Sequence, residues 1–150
     1  ARGGQVSALL ALVLLLQAVP LPKPFPAAVE AALVKQESRG NPDAVSARGC
    51  VGLWQVDPES ACTRLGTHRN RPASKARLAF CAAAAGPLMS VWKSPVLGTL
   101  GGRAVLRRYL ARCGKRGKGL RCALQAYACG QAGLRGNCGW YADSVLARAR

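Results

Sequence analysis

The spacing of apolar residues after Pro26 follows the period of an α-helix, and this pattern constrains the fold more than any other feature of the chain. Apolar side chains recur every three or four residues, and glycine or proline ends most of these stretches. No stretch alternates apolar and polar residues cleanly, and aromatic residues make up only 5% of the chain. The sequence therefore predicts a mainly α-helical domain, with helices at 27–39, 73–85, 102–113, 120–127 and 141–148. The stretches 41–57 and 130–139, rich in glycine and small polar residues, are predicted loops of the kind that often carries function.

The charge balance is strongly basic, with 22 Lys and Arg against 6 Asp and Glu in 150 residues, a net charge of +16. This length allows one domain with a real core. A positive surface attracts polyanions such as nucleic acid, anionic lipid or an acidic cell-wall polymer, although a GC-rich coding sequence would also produce many arginines. The densest basic run, 103–121, contains one aromatic residue, Tyr109, which is a poor match to a nucleic-acid stacking surface. No nucleic-acid partner is therefore expected.

Seven cysteines in so short a chain indicate an oxidising compartment, with three disulfides and one free thiol as the simplest arrangement. The sequence alone leaves about 105 ways to pair them. No two cysteines have the C-x-x-C spacing, and His68 is the sole histidine, so no zinc site or other metal cofactor is predicted. His68 also lies in a polar, Pro- and Arg-rich stretch, which argues against a Ser-His-Asp enzyme.

The N-terminal segment has the layout of an export signal. Arg2 precedes an uncharged apolar run at 6–19, which is short for a transmembrane helix, and alternate prolines then follow from Pro20 to Pro26. We expect residues 1–25 to be a cleavable signal peptide, or a signal-anchor that attaches the protein to a membrane through 6–19, followed by a proline-rich spacer. Residues 26–150 would then form the domain.

The first predicted helix carries an acidic residue where an apolar one is expected. Val29, Leu33 and Glu37 are four residues apart, so they share one stripe of the helix. That stripe faces the core or a cleft, where desolvation raises the pKa of a carboxyl group. A carboxylic acid that stays protonated near neutral pH is what a general acid requires. The alternative is that Glu37 ends the helix in water beside Arg39.

The residues after this helix carry a specific motif. Residues 37–59 read ESRGNPDAVSARGCVGLWQVDPE, and residues 124–130 read LQAYACG. The first segment closely resembles the signature of the soluble lytic transglycosylase family, glycoside hydrolase family 23: Glu-Ser, Asn-Pro, Ser, then Gly-x-x-Gly-Leu-Met-Gln and a later Pro. The second resembles the family's Ala-Tyr-Asn-x-Gly motif, and 102–110 resembles the helix before it. The resemblance spans about 26–146 and implies a lysozyme-like α-helical domain, shared more remotely with goose-type lysozyme.

The resemblance also implies roles for individual residues. Glu37 matches the catalytic acid, and Tyr127 matches a cleft tyrosine whose hydroxyl lies near that acid. The positions that match substrate-binding or loop-holding residues are Ser38, Ser46, Gly52, Leu53, Trp54, Gln55 and Ala128. Two of these depart from the family: Trp54 replaces a Met, which would alter stacking on a sugar, and Ala128 replaces an Asn. Cys50 and Cys129 lie inside the motifs, which indicates disulfides that brace the cleft loops.

The function implied is lytic cleavage of the MurNAc-β-1,4-GlcNAc bond of peptidoglycan, with 1,6-anhydromuramyl ends as the product, Glu37 as the single acid and base, and no cofactor. Asp43 and Asp57 would be the first candidates to position water in the main alternative, a hydrolytic muramidase of the goose-lysozyme type. Another alternative is a catalytically dead wall-binding or structural module of a secretion apparatus or phage particle. The partners implied are peptidoglycan glycan strands, with secretion-system or phage proteins as further candidates. The expected location is exported: periplasmic, membrane-anchored facing the wall, or phage-associated.

Overall fold

The computed structural model describes residue 10, residues 21–65 and residues 72–150. The helices named within these residues are α1 Ala27–Ser38, α2 Pro58–Arg64, α3 Lys75–Ala84, a 3₁₀ helix Met89–Lys93, α4 Pro95–Gly114, α5 Leu120–Cys129, α6 Gln131–Leu134 and α7 Gly139–Arg148. In this part of the chain, extended pairing is limited to two isolated bridges, which join Val45 to Val51 and Val51 to Val56. The predicted mainly α-helical class is therefore confirmed.

All five predicted helices are present, but α4 begins at Pro95 rather than at 102, and α2 was not predicted. Both helices begin with a polar cap followed by proline, which fits the first turn because it has no N–H to satisfy. Asp57 Oδ2 accepts a hydrogen bond of 3.0 Å from the Ser60 amide at the start of α2. Ser94 Oγ accepts one of 3.4 Å from the Leu97 amide at the start of α4. The short helix α6 lies inside the predicted loop 130–139.

Helix α5 lies at the centre of the domain and packs against α4, α6 and α7. Five consecutive residues, 122–126, are buried, because a helix surrounded on several sides buries more than one stripe. Helix α7 also packs against α1, while α2 packs against α3 and α4. These contacts bring the end of α1, the end of α5 and the start of α7 to one region.

Tryptophan side chains fill the core against glycines of α4. The six-membered part of the Trp92 ring lies over Gly101, and the Trp54 ring lies over Gly102. A Cβ atom at Gly102 would overlap the Trp54 ring, so only glycine allows this approach. This packing explains why a helix contains Gly101 and Gly102, and Gly98 of the same helix lies against the backbone oxygen of Trp92.

Three disulfides connect the helices: Cys62–Cys81, Cys113–Cys122 and Cys129–Cys138. Cys50 is the free cysteine, which matches the predicted arithmetic of three bonds and one thiol. The expectation that Cys129 braces a loop is met by its bond to Cys138 across α6. The same expectation for Cys50 is wrong, because the other six cysteines pair among themselves and hydrogen bonds hold the Cys50 loop instead.

The predicted signal segment at 1–25 lies outside the described residues, except for Leu10 and residues 21–25, and His68 also lies outside them. Among the described residues, no helix combines the length and the apolar character needed to cross a membrane.

Candidate active site

Glu37 lies near the end of α1, on the stripe predicted from its spacing. Val29 and Leu33 of that stripe are buried, with Leu33 at 0% exposure, and the Glu37 side chain is half-buried. Burial raises the pKa of the Glu37 carboxyl above its ordinary value, because the charged form loses hydration; a hydrogen bond from Tyr141 partly opposes this increase. The alternative of a fully hydrated carboxylate at the helix end does not describe this side chain.

Tyr141, at the start of α7, is the principal residue that sequence reasoning missed. Its hydroxyl donates a hydrogen bond to Glu37 Oε1, and the residue is only 5% exposed. Burial and the neighbouring charge of Glu37 raise the pKa of Tyr141 far above its ordinary value, so its hydroxyl stays a donor. One turn along α7, Ser144 Oγ donates to Gln36 Oε1 at 3.0 Å and holds α7 against α1. The sequence placed Tyr141 in a helix but offered no signal of this pairing.

Tyr127, at the end of α5, lies in the electrostatic field of Glu37 without bonding to it. Its hydroxyl donates to the backbone oxygen of Trp54 at 2.6 Å. Burial, with the negative charge of Glu37, raises the pKa of Tyr127 well above its ordinary value. Two tyrosines on two helices therefore feel the charge of Glu37, and Tyr141 alone of the two forms a hydrogen bond with it.

Two of the expected cleft residues, Gln55 and Ser46, fasten the loop 41–57 through hydrogen bonds, and a third, Ser38, fixes the end of α1 just before it. Gln55 Nε2 donates to the backbone oxygens of Ala44 and Gly52, both at 3.0 Å. Ser46 Oγ accepts from the Cys50 amide at 3.0 Å. Ser38 Oγ donates to the Val34 oxygen and accepts from the Gly40 amide, each at 3.2 Å, at the end of α1. These bonds hold the backbone that follows Glu37 in one conformation.

The remaining predicted site residues differ in exposure. Gly52 has a φ of +83° and lies against the backbone oxygen of Trp92, so a side chain there would be both strained and obstructed. Leu53 is half-buried and Ala128 is exposed. The Trp54 ring is 1% exposed and lies edge-to-face with Tyr127 at 6.4 Å between centroids. This ring packs in the core and has no free face for a sugar, so the expected stacking finds no support in its position.

The other five acidic side chains are exposed or have partners elsewhere. Burial alone would raise the pKa of Glu30, but two hydrogen bonds of 2.7 Å from Arg103, one from the Phe25 amide and the charges of Arg103 and Arg107 together lower it. Asp143 pairs with Arg121 at 3.1 Å, and Asp57 caps α2. Asp43 and Glu59 are exposed. Within residues 21–65 and 72–150, no three His, Cys, Asp or Glu side chains are grouped as ligands for a metal ion.

Comparison with known proteins identifies the family. A family model described as the transglycosylase SLT domain matches residues 25–139, which include Glu37, the loop after it and Tyr127. Searches of the curated proteins and of the solved structures each returned no match. The model covers well over half of the chain, and it implies lytic transglycosylase-type action on peptidoglycan, outside the cytoplasm. The chain therefore belongs to the transglycosylase SLT domain family.

Proposed function

We propose that this protein is a peptidoglycan lytic transglycosylase that cleaves the MurNAc-β-1,4-GlcNAc bond and leaves 1,6-anhydromuramyl ends. The observation that carries the proposal is the environment of Glu37. It is a half-buried carboxyl with a raised pKa, it accepts a hydrogen bond from Tyr141, and its charge raises the pKa of Tyr127. The other five acidic residues are exposed, paired or capping a helix.

In the first step, Glu37 is the general acid. Its raised pKa keeps a larger fraction of the carboxyl protonated near neutral pH, so it can protonate the glycosidic oxygen as the C1–O bond breaks. The N-acetyl group of the substrate assists departure of the leaving sugar. Tyr127 points its hydroxyl hydrogen at the Trp54 carbonyl, so its oxygen lone pairs remain to stabilise positive charge on the sugar.

In the second step, Glu37 is the base. Its carboxylate accepts the proton of the muramyl 6-hydroxyl as that oxygen attacks C1 and closes the anhydro ring. The proton given in the first step is thereby recovered, and no water is consumed. Tyr141 donates to Glu37 throughout and holds the carboxyl in position, which makes it a positioning residue.

The lack of a suitable second carboxylate favours this route over hydrolysis. Most glycosidases that hydrolyse their substrate use two carboxyl groups, one of them as nucleophile or as base toward water. Asp57, a candidate for that base, accepts hydrogen bonds from the Ser60 amide at 3.0 Å and from Ser60 Oγ at 2.8 Å. Asp43 is exposed in the loop. If Glu37 acts first as acid and then as base, the reaction requires neither Asp43 nor Asp57.

Digestion of purified peptidoglycan tests the proposal, with mass spectrometry of the released fragments. We expect anhydro ends from the wild type, none from Glu37→Gln, and normal activity from the matched control Glu59→Gln, since Glu59 is exposed on α2. Reducing ends would replace the proposal with a hydrolytic muramidase. No fragments from folded wild-type protein would indicate a non-catalytic wall-binding module. Full activity of Glu37→Gln would remove Glu37 from the mechanism.

The positive charge supports attachment to the substrate. Peptidoglycan stem peptides carry carboxylates, and a protein of net charge +16 is attracted to them over a range set by ionic strength. We propose a location in the periplasm or at the membrane face next to the wall, reached through the N-terminal signal. N-terminal sequencing of exported protein tests it, because a cytosolic protein with an intact N-terminus would contradict it.

A further inference from the structure

Trp140 differs from the other tryptophans in its exposure. Trp54 and Trp92 are buried in the core, whereas Trp140 is 67% exposed. An indole ring is among the largest apolar side chains, and leaving it in water forgoes the stabilisation that burial would give. Trp140 lies just beyond the residues that match the family model, so that match assigns it no role.

The position of Trp140 connects it to the candidate active site. It is the second residue of α7, and the ring of Tyr141 lies edge-to-face against it with 5.9 Å between centroids. The hydroxyl of Tyr141 in turn donates to Glu37. The exposed indole thus contacts the same phenol ring whose hydroxyl binds the carboxyl, and a glycan strand extends over several sugars beyond the one that reacts. Side chains at the start of a helix also lean toward its N-terminus, here the end of α7 beside Glu37.

The backbone that carries Trp140 is fixed from two sides. The Cys129–Cys138 disulfide joins the start of α7 to the end of α5, two residues beyond Tyr127. The Ser144 hydrogen bond to Gln36 and the Tyr141 bond to Glu37 join α7 to α1. An exposed ring on a rigid support binds with a smaller entropic penalty than a ring on a mobile loop.

We infer that Trp140 is an aromatic platform on which a sugar of the peptidoglycan strand stacks, beside the sugar that reacts at Glu37. This inference rests on the proposed function. The face of a β-linked pyranose presents C–H groups, which carry a slight positive charge and fit the electron-rich face of an indole. Stacking would cover on the order of 60 Å² of apolar surface, which corresponds to about a tenfold change in binding. Trp140 thus determines substrate affinity and not the chemical step.

Steady-state kinetics on purified peptidoglycan test the kinetic part of this assignment. We expect Trp140→Ala to raise KM about tenfold with kcat within about twofold of wild type, and Trp140→Phe to recover most of the loss. Val96→Ala is the matched control, because Val96 is 68% exposed on α4, and its KM should not change. An unchanged KM in Trp140→Ala, or an equal loss in Val96→Ala, would overturn the inference. Circular dichroism establishes that each variant is folded.

Binding in the Glu37→Gln background separates this inference from the proposed function. With glycan strands stripped of peptides as the probe, indole fluorescence should shift to shorter wavelength on binding. Trp140→Phe should abolish this shift and keep most of the affinity, whereas Trp140→Ala should weaken the affinity about tenfold. A shift that persists in Trp140→Phe would overturn the platform whatever the activity measurements give. Loss of activity in Glu37→Gln is a separate result, which tests the proposed function.

Discussion

Replacement of Tyr141 by phenylalanine should shift the pH dependence of catalysis, because it removes the hydroxyl that stabilises the ionised form of Glu37. That hydroxyl is the hydrogen-bond donor on Glu37 and lowers the carboxyl's pKa against the effect of burial. Without it, burial acts alone and the pKa of Glu37 rises further. Since Glu37 must be protonated to act as an acid, the alkaline limb of the rate profile should move to higher pH.

The size of the effect follows from the bond. A hydrogen bond to a charged group contributes about 1.5–3 kcal/mol, and about 1.4 kcal/mol corresponds to one pH unit, so the alkaline limb should move up by about one to two pH units. The maximal rate should also fall, because the carboxyl loses the contact that positions it. Phenylalanine keeps the buried ring, so a large cavity is not expected.

The assay is kcat/KM for release of soluble fragments from peptidoglycan, measured from pH 4 to pH 9. Tyr127→Phe is the matched control, because its hydroxyl bonds to the Trp54 carbonyl and not to Glu37. That variant should lose rate while its alkaline limb stays in place. An unmoved limb in Tyr141→Phe, or an equal movement in both variants, would refute the reasoning.

Two further predictions concern stability. The folded protein holds the Glu37 proton more tightly than the unfolded chain, because its carboxyl has a raised pKa. The wild type should therefore lose stability relative to Glu37→Gln as the pH rises from about the ordinary value of 4.5 through the raised pKa. Urea unfolding of both proteins at pH 4 and pH 8 measures this difference. A constant difference between the two proteins would contradict this. Gly102→Ala should destabilise the folded protein by about 1–3 kcal/mol, because its methyl group meets the Trp54 ring. Gly114→Ala is the control: a Cβ there has no neighbour within 4 Å, so the change should be neutral or stabilise the fold by up to about 1 kcal/mol. Equal melting temperatures for these two variants would contradict this, because they would mean that the Trp54 ring moves aside at little energetic cost.

Sequence periodicity predicted the helices well where one apolar stripe faces a core, as in α1 and α7. It placed the start of α4 at 102 rather than at Pro95. Glycines normally oppose helices, and the contacts with Trp54 and Trp92 explain their presence in this one. The start signals Asp57-Pro58 and Ser94-Pro95 were legible in the sequence and would have identified α2 and the first turns of α4. Tyr141 could not be found in this way, because its contact with Glu37 depends on how α7 packs against α1.

The free Cys50 has a consequence for how the native disulfides survive once the protein has folded. If consecutive cysteines paired from the N-terminus, Cys50 would join Cys62, and every later pair would be displaced. The native set instead requires that Cys50 stay out of thiol–disulfide exchange. Burial, opposed by the hydrogen bond with Ser46 and aided by the charge of Asp57, raises the pKa of the Cys50 thiol, and the attacking species in such exchange is the thiolate. In the folded protein, the burial of Cys50, with a smaller contribution from the nearby Asp57, thus also protects the cross-links from exchange.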